Sequence, residues 1–524
     1  MNWLDYLVVV LYIGLMLGMG YFMREQKSAK SYFVGDKNFG WFSLLLSTMA
    51  TQLSAISFIS APAFVGLKQG GGMKWLTFEL AVPLAMIFLS VVLMPMLYRA
   101  GIVSAYELLE HRFGASTRRL VSTLFLFSRS FGTGVAVYTV ALILESVFHI
   151  NFWETIVIIC VVTMLYSLKG GLKVVVYTDV IQMFIKYIGI LVCLGFALWH
   201  LGGWHNLVQY ADVTRTKAVD FGSWGLHGDT YGFWPMIFGG FVLYASYYGC
   251  DQTQVQRALA ASSLAEVRKM YVLNGIVRFL VTLTYCVAGL AIGTFVLRTP
   301  AFQALIPAGQ PDKMLPLFIL NYLPNGVIGL VLVAIFAAAM SSVSTSVNAM
   351  AAVAMEDYIV KIRPLTEKEY LRYSQLSVLF WVAVCMFTAG FVGNIADTVI
   401  EAINKIGSIF YGPILATFTL AVLTRRVGAR AMNLGLISGI LISIYFWKFQ
   451  PQVFYFWWNV IGCLTTLGVA ALFTLGQATQ PAAQRLVDTV VSRMEMQFWN
   501  RSTIYLLSFF VLIVAISVSV PYWL

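Results

Sequence analysis

Ser47-Thr48-Met49-Ala50-Thr51-Gln52-Leu53-Ser54-Ala55-Ile56-Ser57, followed by Pro62, occupies the middle of an apolar run from Phe42 to Phe64. That run is close to the length of about 20 residues that a helix needs to cross hydrocarbon, yet hydroxyls and an amide cluster at its centre. One reading is that Ser and Thr satisfy their own i−4 carbonyls and the proline only kinks the helix. The other is that the helix unwinds and its freed carbonyls coordinate a cation, and the density of polar groups favours it.

Working outward, runs of similar length recur along all 524 residues. Fourteen candidate spans follow: Leu4 to Met23, Phe42 to Phe64, Trp75 to Tyr98, Leu120 to Val147, Phe152 to Leu168, Val174 to Trp199 and Trp234 to Gly249, then Val272 to Val296, Gly326 to Met350, Leu376 to Val392, Ile406 to Leu423, Ala431 to Trp447, Phe456 to Leu475 and Ile504 to Val520. With 60% hydrophobic and 11% charged residues, the chain lies far from soluble averages. An all-α integral membrane protein is expected. Long unbroken runs also exclude a β-barrel, whose strands alternate over short segments.

The net charge of +11 does not indicate nucleic acid, because the bases lie on short connections. They concentrate on alternate loops, at Arg24, Lys27, Lys30 and Lys37, at Arg99, Arg112, Arg118 and Arg119, and later at Arg257, Arg268, Lys269, Arg485 and Arg493. By the positive-inside bias, both termini face the periplasm or the exterior. Six cysteines without paired short spacing suit neither a disulfide frame nor a zinc site. No nucleotide-binding loop, HExxH or ligand-spaced His/Cys cluster appears, so an enzyme is not expected.

Interrupted helices and intramembrane polar groups mark transport sites. The ninth span carries Ala337-Ala338-Ala339-Met340-Ser341-Ser342-Val343-Ser344-Thr345-Ser346-Val347-Asn348. Small residues serve close helix packing, but hydroxyls at this density exceed that need and suit a hard cation that must bind and leave, such as Na⁺. Asp179, in Tyr177-Thr178-Asp179-Val180-Ile181-Gln182, needs a partner: Lys186, a basic loop residue or a bound cation. Glu79 and Arg278 are either a structural ion pair or groups for a polyhydroxylated solute. Arg129 either snorkels or binds a carboxylate. Tyr244, Tyr247 and Tyr248 either anchor the span at the interface or cap a cavity.

With Tyr32-Phe33-Val34-Gly35 and Lys37, the Tyr177 to Gln182 segment, Gln252 with Val255-Gln256-Arg257, and the ninth span ending in Asn348, the chain resembles the sodium/solute symporters. The resemblance runs from the first span to about the eleventh. It implies two inverted five-helix repeats, at 42–199 and 234–423, with a leading helix at 4–23 and flanking helices at 431–520. It further implies a sodium site at Ala50, Leu53, Ala338, Ser341 and Ser342, and a second sodium position at Asp179, Ser341, Ser344 and Thr345. Glu79, Arg278 and Tyr247 fall on sugar-site positions of galactose transporters, whereas Ser57 and Tyr244 depart from that pattern. Leu53 to Phe58 resembles the sialic acid branch, whose carboxylate-binding arginine matches Arg129. The substrate contacts implied are Gln52, Ser54, Ser57, Phe78, Glu79, Arg129, Tyr244, Tyr247 and Arg278. Sodium-coupled symport of a sugar or acidic sugar by alternating access is expected, with a monocarboxylate, polyol or amino acid as alternative solutes, and a receptor or channel as the rival class. The partners implied are that solute, sodium and membrane lipid but no nucleic acid, with a monomer as the working unit in a bacterial inner membrane.

Overall fold

The computed structural model describes residues 2–23, 31–148, 151–391, 398–475 and 500–524. Arg24, Lys27, Lys30, Arg485 and Arg493, together with the expected end of the tenth span at Val392, lie outside them. Among the described residues the secondary structure is helical, with one isolated bridge between Phe39 and Ala261.

In chain order the principal helices are α1 (Trp3–Phe22), the bent pair α2 (Trp41–Gln52) and α3 (Ala55–Gly66), α4 (Met73–Arg99), α5 (Ala115–Ala141), α6 (Phe152–Leu168) and α7 (Gly170–Leu201). They continue with α8 (Phe233–Cys250) and α9 (Gln252–Leu259), α10 (Leu264–Arg298), α11 (Val327–Ile362), α12 (Glu367–Ala389), α13 (Val399–Leu423), α14 (Ala429–Phe449), α15 (Tyr455–Leu472) and α16 (Arg501–Trp523). Among the described residues, eleven helices are long and apolar enough to cross a membrane, and the bent pair makes a twelfth candidate. The chain is a multi-pass membrane protein. The fifth and seventh expected spans coincide with α6, which is shorter, and with α8, whose 18 residues include four glycines or serines in its second half and near its middle.

Which helices lie inside follows from composition. α11 and α4 are buried along most of their length and are lined by small or branched apolar residues, whereas α1, α14 and α16 present apolar side chains outward as lipid-facing helices do. Glycines set the closest approaches. A Cβ on Gly293 would meet Gly66 Cα at 2.4 Å, and one on Gly289 would meet Pro62 Cα at 2.6 Å, so α3 and α10 touch backbone to backbone. Pro62 therefore serves packing inside α3 and does not create the break upstream of it.

α6 and α7 meet at Gly171, whose φ of 53° is left-handed. A side chain there would also strike Tyr32 O at 2.3 Å, while Tyr32 donates its hydroxyl to Leu168 O at 2.8 Å. The Tyr32 motif and the Gly171 turn are thus two halves of one joint, and glycine is required by conformation and by space together.

Near one end of the bundle, Asp312 ties α3 to the N-terminus of α13: Ser60 Oγ donates to its Oδ1 at 2.6 Å and the Val399 amide to its Oδ2 at 3.0 Å. Burial pushes this carboxyl up to about 6, with Glu401 adding to the rise and Ser60, the Val399 amide and Lys68 opposing it. An unfolded Asp titrates near 3.9. The folded state therefore holds the extra proton between those values, and the stability it contributes at low pH is lost as pH rises through about 6. We expect the Tm of wild type to fall from pH 4 to 6 relative to Asp312→Asn; parallel curves would show that the carboxyl is better solvated than this.

Candidate functional site

The second span breaks between α2 and α3 with a bend of 59°. Leu53 and Ser54 leave the helical region, at ψ of 69° and 178°, so carbonyls near the break lose their intrahelical partners. α11 lies against this break. Ser341 Oγ donates to Ala50 O at 3.2 Å or to Ala338 O at 3.2 Å, and Ser342 Oγ to Thr51 O at 3.4 Å or Ala338 O at 3.1 Å. Ala50, Leu53, Ala338, Ser341 and Ser342 are thus brought together, around a group the sequence reading did not place there. Lys186 of α7 is fully buried. Its Nζ donates to Ala50 O at 2.6 Å, Leu53 O at 3.0 Å and Ser341 Oγ at 3.1 Å.

Asp179 lies two turns from Lys186 on the same face of α7, a rise of about 10 Å. Of the partners expected for it, the base from the connection after α8 is the one it finds. Arg257 Nη2 donates to Asp179 Oδ2 at 2.8 Å and to Thr345 Oγ1 at 2.5 Å, and its Nε donates to Ser47 Oγ at 2.7 Å. Ser47 Oγ donates in turn to Asp179 Oδ2 at 2.6 Å. Asp179 Oδ1 has no hydrogen-bond partner among the described residues. Ser344, one residue before Thr345, donates its Oγ to Ser341 O at 3.3 Å. Arg257 is fully buried, so it is a structural cation and not the solvated loop base that the charge count made of it.

The motif around Arg257 has a physical reason. α9 is buried throughout, and its polar side chains satisfy backbone that no helix satisfies. Gln252 accepts from Ala105 N at 2.8 Å and donates to Val103 O at 2.7 Å, and Gln256 donates to Asn348 Oδ1 at 3.0 Å.

Next to the break is a cavity of about 130 Å³. All nine expected substrate contacts line it: Gln52, Ser54, Ser57, Phe78, Glu79, Arg129, Tyr244, Tyr247 and Arg278. Arg278 donates to both Glu79 oxygens, at 2.7 Å from Nε and 2.9 Å from Nη2. Tyr244 OH donates to Glu79 Oε1 at 3.0 Å, and its ring stacks on Phe78 at 4.4 Å. Arg129 does not snorkel: it turns inward, pairs with Asp251 and lies 5.4 Å over the Tyr247 ring. Tyr244 and Tyr248 are fully buried and Tyr247 nearly so, which excludes interfacial anchoring for all three. Tyr244 and Tyr247 face the cavity, whereas Tyr248 does not line it.

The sequence reading missed Trp75, Thr133, Thr282, Tyr285, Asn404 and Tyr411, which also line the cavity. They carry no local signal, since hydroxyl and aromatic residues occur throughout the spans. Lys186 did carry one: an ammonium in the middle of an apolar run.

The family model described as "Sodium:solute symporter family" matches residues 32–442. The chain belongs to the sodium:solute symporter family. It is 31% identical to sodium-coupled monocarboxylate transporter 1 of Xenopus laevis, over 84% of this chain and 71% of that one. It is 28% identical to the human sodium/iodide cotransporter, over 84% of this chain and 68% of that one. Its fold is similar to a Na⁺-coupled sialic acid symporter in a substrate-bound outward-open state, with a TM-score of 0.82 at 23% identity, covering 91% of this chain and 99% of that one. As a family member, the chain has transporters for relatives, and its broken second span and hydroxyl-rich α11 meet where a transport site is expected.

Proposed function

We propose that this protein is a sodium-coupled symporter of a small organic anion, working by alternating access. One observation carries the substrate class: two guanidinium groups line the cavity, and among the described residues Arg129 Nε and Arg278 Nη1 are buried without a hydrogen-bond partner. Planar N–H donors aimed at a cavity suit a carboxylate. Gln52 Oε1 and the hydroxyls of Thr282 and Tyr285, also lining the cavity and without partners, supply bonds for hydroxyl or carbonyl groups on the same solute. Acidic sugars and short monocarboxylates share this chemistry. Both arginines are already paired to carboxylates, so the solute adds to a neutral cavity and is not drawn into a strongly positive one.

The cation position favoured for the sodium is the open Oδ1 of Asp179, with Arg257 holding the other carboxylate oxygen and Thr345 Oγ1. Two inverted repeats, 42–199 and 234–423, would carry the two halves of the site, with both termini outside a bacterial inner membrane and no covalent chemistry. Moving one charge inward through 100 mV releases about 2.3 kcal/mol, and a tenfold sodium gradient adds about 1.4 kcal/mol. The test is uptake by proteoliposomes of labelled N-acetylneuraminate, lactate and galactose, with an imposed sodium gradient and with choline in its place. The expected result is sodium-stimulated uptake of an acidic compound, reduced at least tenfold in Arg129→Ala. Uptake of galactose alone would sink the anion reading.

A further inference from the structure

The break of the second span already holds a cation that belongs to the chain itself. The oxygens gathered there accept from Lys186, and the match is complete: an ammonium has three N–H donors, and Lys186 has three acceptors within 3.1 Å, Ala50 O, Leu53 O and Ser341 Oγ. The group is fully buried, and its three oxygens come from α2, from the break itself and from α11. They are three of the five positions that the family resemblance assigns to the first sodium; the other two, Ala338 and Ser342, bond each other at 3.1 Å. The separations from Leu53 O and Ser341 Oγ suit N–H···O bonds and exceed the roughly 2.3–2.6 Å over which hard cations hold oxygen ligands, while that from Ala50 O lies at the upper edge of that range. A sodium ion added here would have to displace the ammonium or lie in contact with it, as two like charges in a buried site.

Lys186 also differs from the other buried cations nearby. Arg257, Arg129 and Arg278 each contact a carboxylate, whereas no carboxylate lies within ion-pair distance of Lys186 among the described residues. Its contacts are neutral oxygens, the ligand set of a monovalent ion. α7 presents Asp179 and Lys186 two turns apart on one face, so a single helix supplies a carboxylate to one position and a cation to the other.

We propose that the Lys186 ammonium is the resident cation of the first position, tethered where other arrangements of these oxygens would take up sodium, so that this chain binds at most one sodium, at Asp179. A tethered charge fixes the broken span against α11 as a bound ion would, but it is never released. It therefore contributes nothing to the driving force, and uptake is coupled to one sodium fewer. The inference deepens the symport reading above and rests on it for its meaning, but it is tested without any solute.

The experiment is equilibrium binding of ²²Na⁺ to purified full-length protein, counted per chain, in wild type, Lys186→Ala and Lys186→Met. The expected result is zero or one sodium in wild type and one more in Lys186→Ala, with the gain removed by adding Ser342→Ala, since Ser342 is a residue of the first position that the second does not share. Lys186→Met fills the space without the charge and replaces the alanine variant if that fails to fold; it should gain the sodium with weaker affinity. Two sodium ions bound to wild type, or no gain in a folded variant, would overturn the proposal. If neither variant folds, the wild-type count alone decides. A protein that transports no anion at all would refute the proposed substrate and leave these counts unaffected.

Discussion

Arg257→Ala is expected to cost the protein a large part of its stability. The side chain holds four segments together, bonding Ser47 of α2, Asp179 of α7, Thr345 of α11 and, at 2.5 Å, the Thr253 carbonyl of its own helix. Removing one member of a buried pair leaves the other charged and unpaired, at about 3–5 kcal/mol. Folded proteins have only about 5–15 kcal/mol in total. In detergent the variant should lose its monodisperse peak, or unfold at least 10 °C below wild type. Adding Asp179→Asn should restore part of the loss, because the stranded charge is then gone. Arg257→Lys keeps the charge but loses the planar fork that reaches Ser47, Asp179 and Thr345 together, and should fall between. An Arg257→Ala variant as stable as wild type would mean that water reaches Asp179 and that the pair is not dry.

The two halves of the site differ in how far they could be read from the sequence. The broken span and the hydroxyl face of α11 were legible because their chemistry is local. Ser47 to Ser57 is too polar for an ordinary span, and Ser341 and Ser342, four and three residues before Thr345, present hydroxyls on neighbouring parts of one helix. The pairs were not legible. Arg129 meets Asp251 and Glu79 meets Arg278 across 122 and 199 residues of chain, and no periodicity encodes that distance. Its position after a span places Arg257 in a loop, though α9 folds back into the bundle and buries it. Lys186 is the instructive case. Pairing it with Asp179 conflicts with helix geometry, since seven residues along an α-helix place two side chains on one face but about 10 Å apart. That spacing argues for two separate sites served by one helix, and the structure has that arrangement. The glycine at 171 is similar: its turn was visible as a gap between spans, but its need to lack a Cβ depends on Tyr32, far away in sequence.

The Glu79–Arg278 pair gives the sharpest test of what the cavity takes. Arg278→Ala is expected to abolish solute binding and to destabilise the protein by about 3–5 kcal/mol, because Glu79 is 1% exposed and would be left alone. Glu79→Ala with Arg278→Ala together should recover much of the stability and none of the binding. Glu79→Gln separates the solute classes. It keeps the shape and leaves an amide beside Arg278 and the Tyr244 hydroxyl, so the guanidinium loses its counter-charge and the cavity gains net positive charge. For an anionic solute the affinity should hold or rise, on the order of tenfold for each 1.4 kcal/mol gained. For a neutral polyol it should fall, because a strong acceptor of hydroxyl groups is lost. Isothermal titration of wild type and Glu79→Gln with N-acetylneuraminate, lactate and galactose reads this directly. Loss of acid binding in a folded Glu79→Gln would show that Glu79 itself receives the solute, and the cavity would then be a polyol site in which Arg278 only orients the carboxylate.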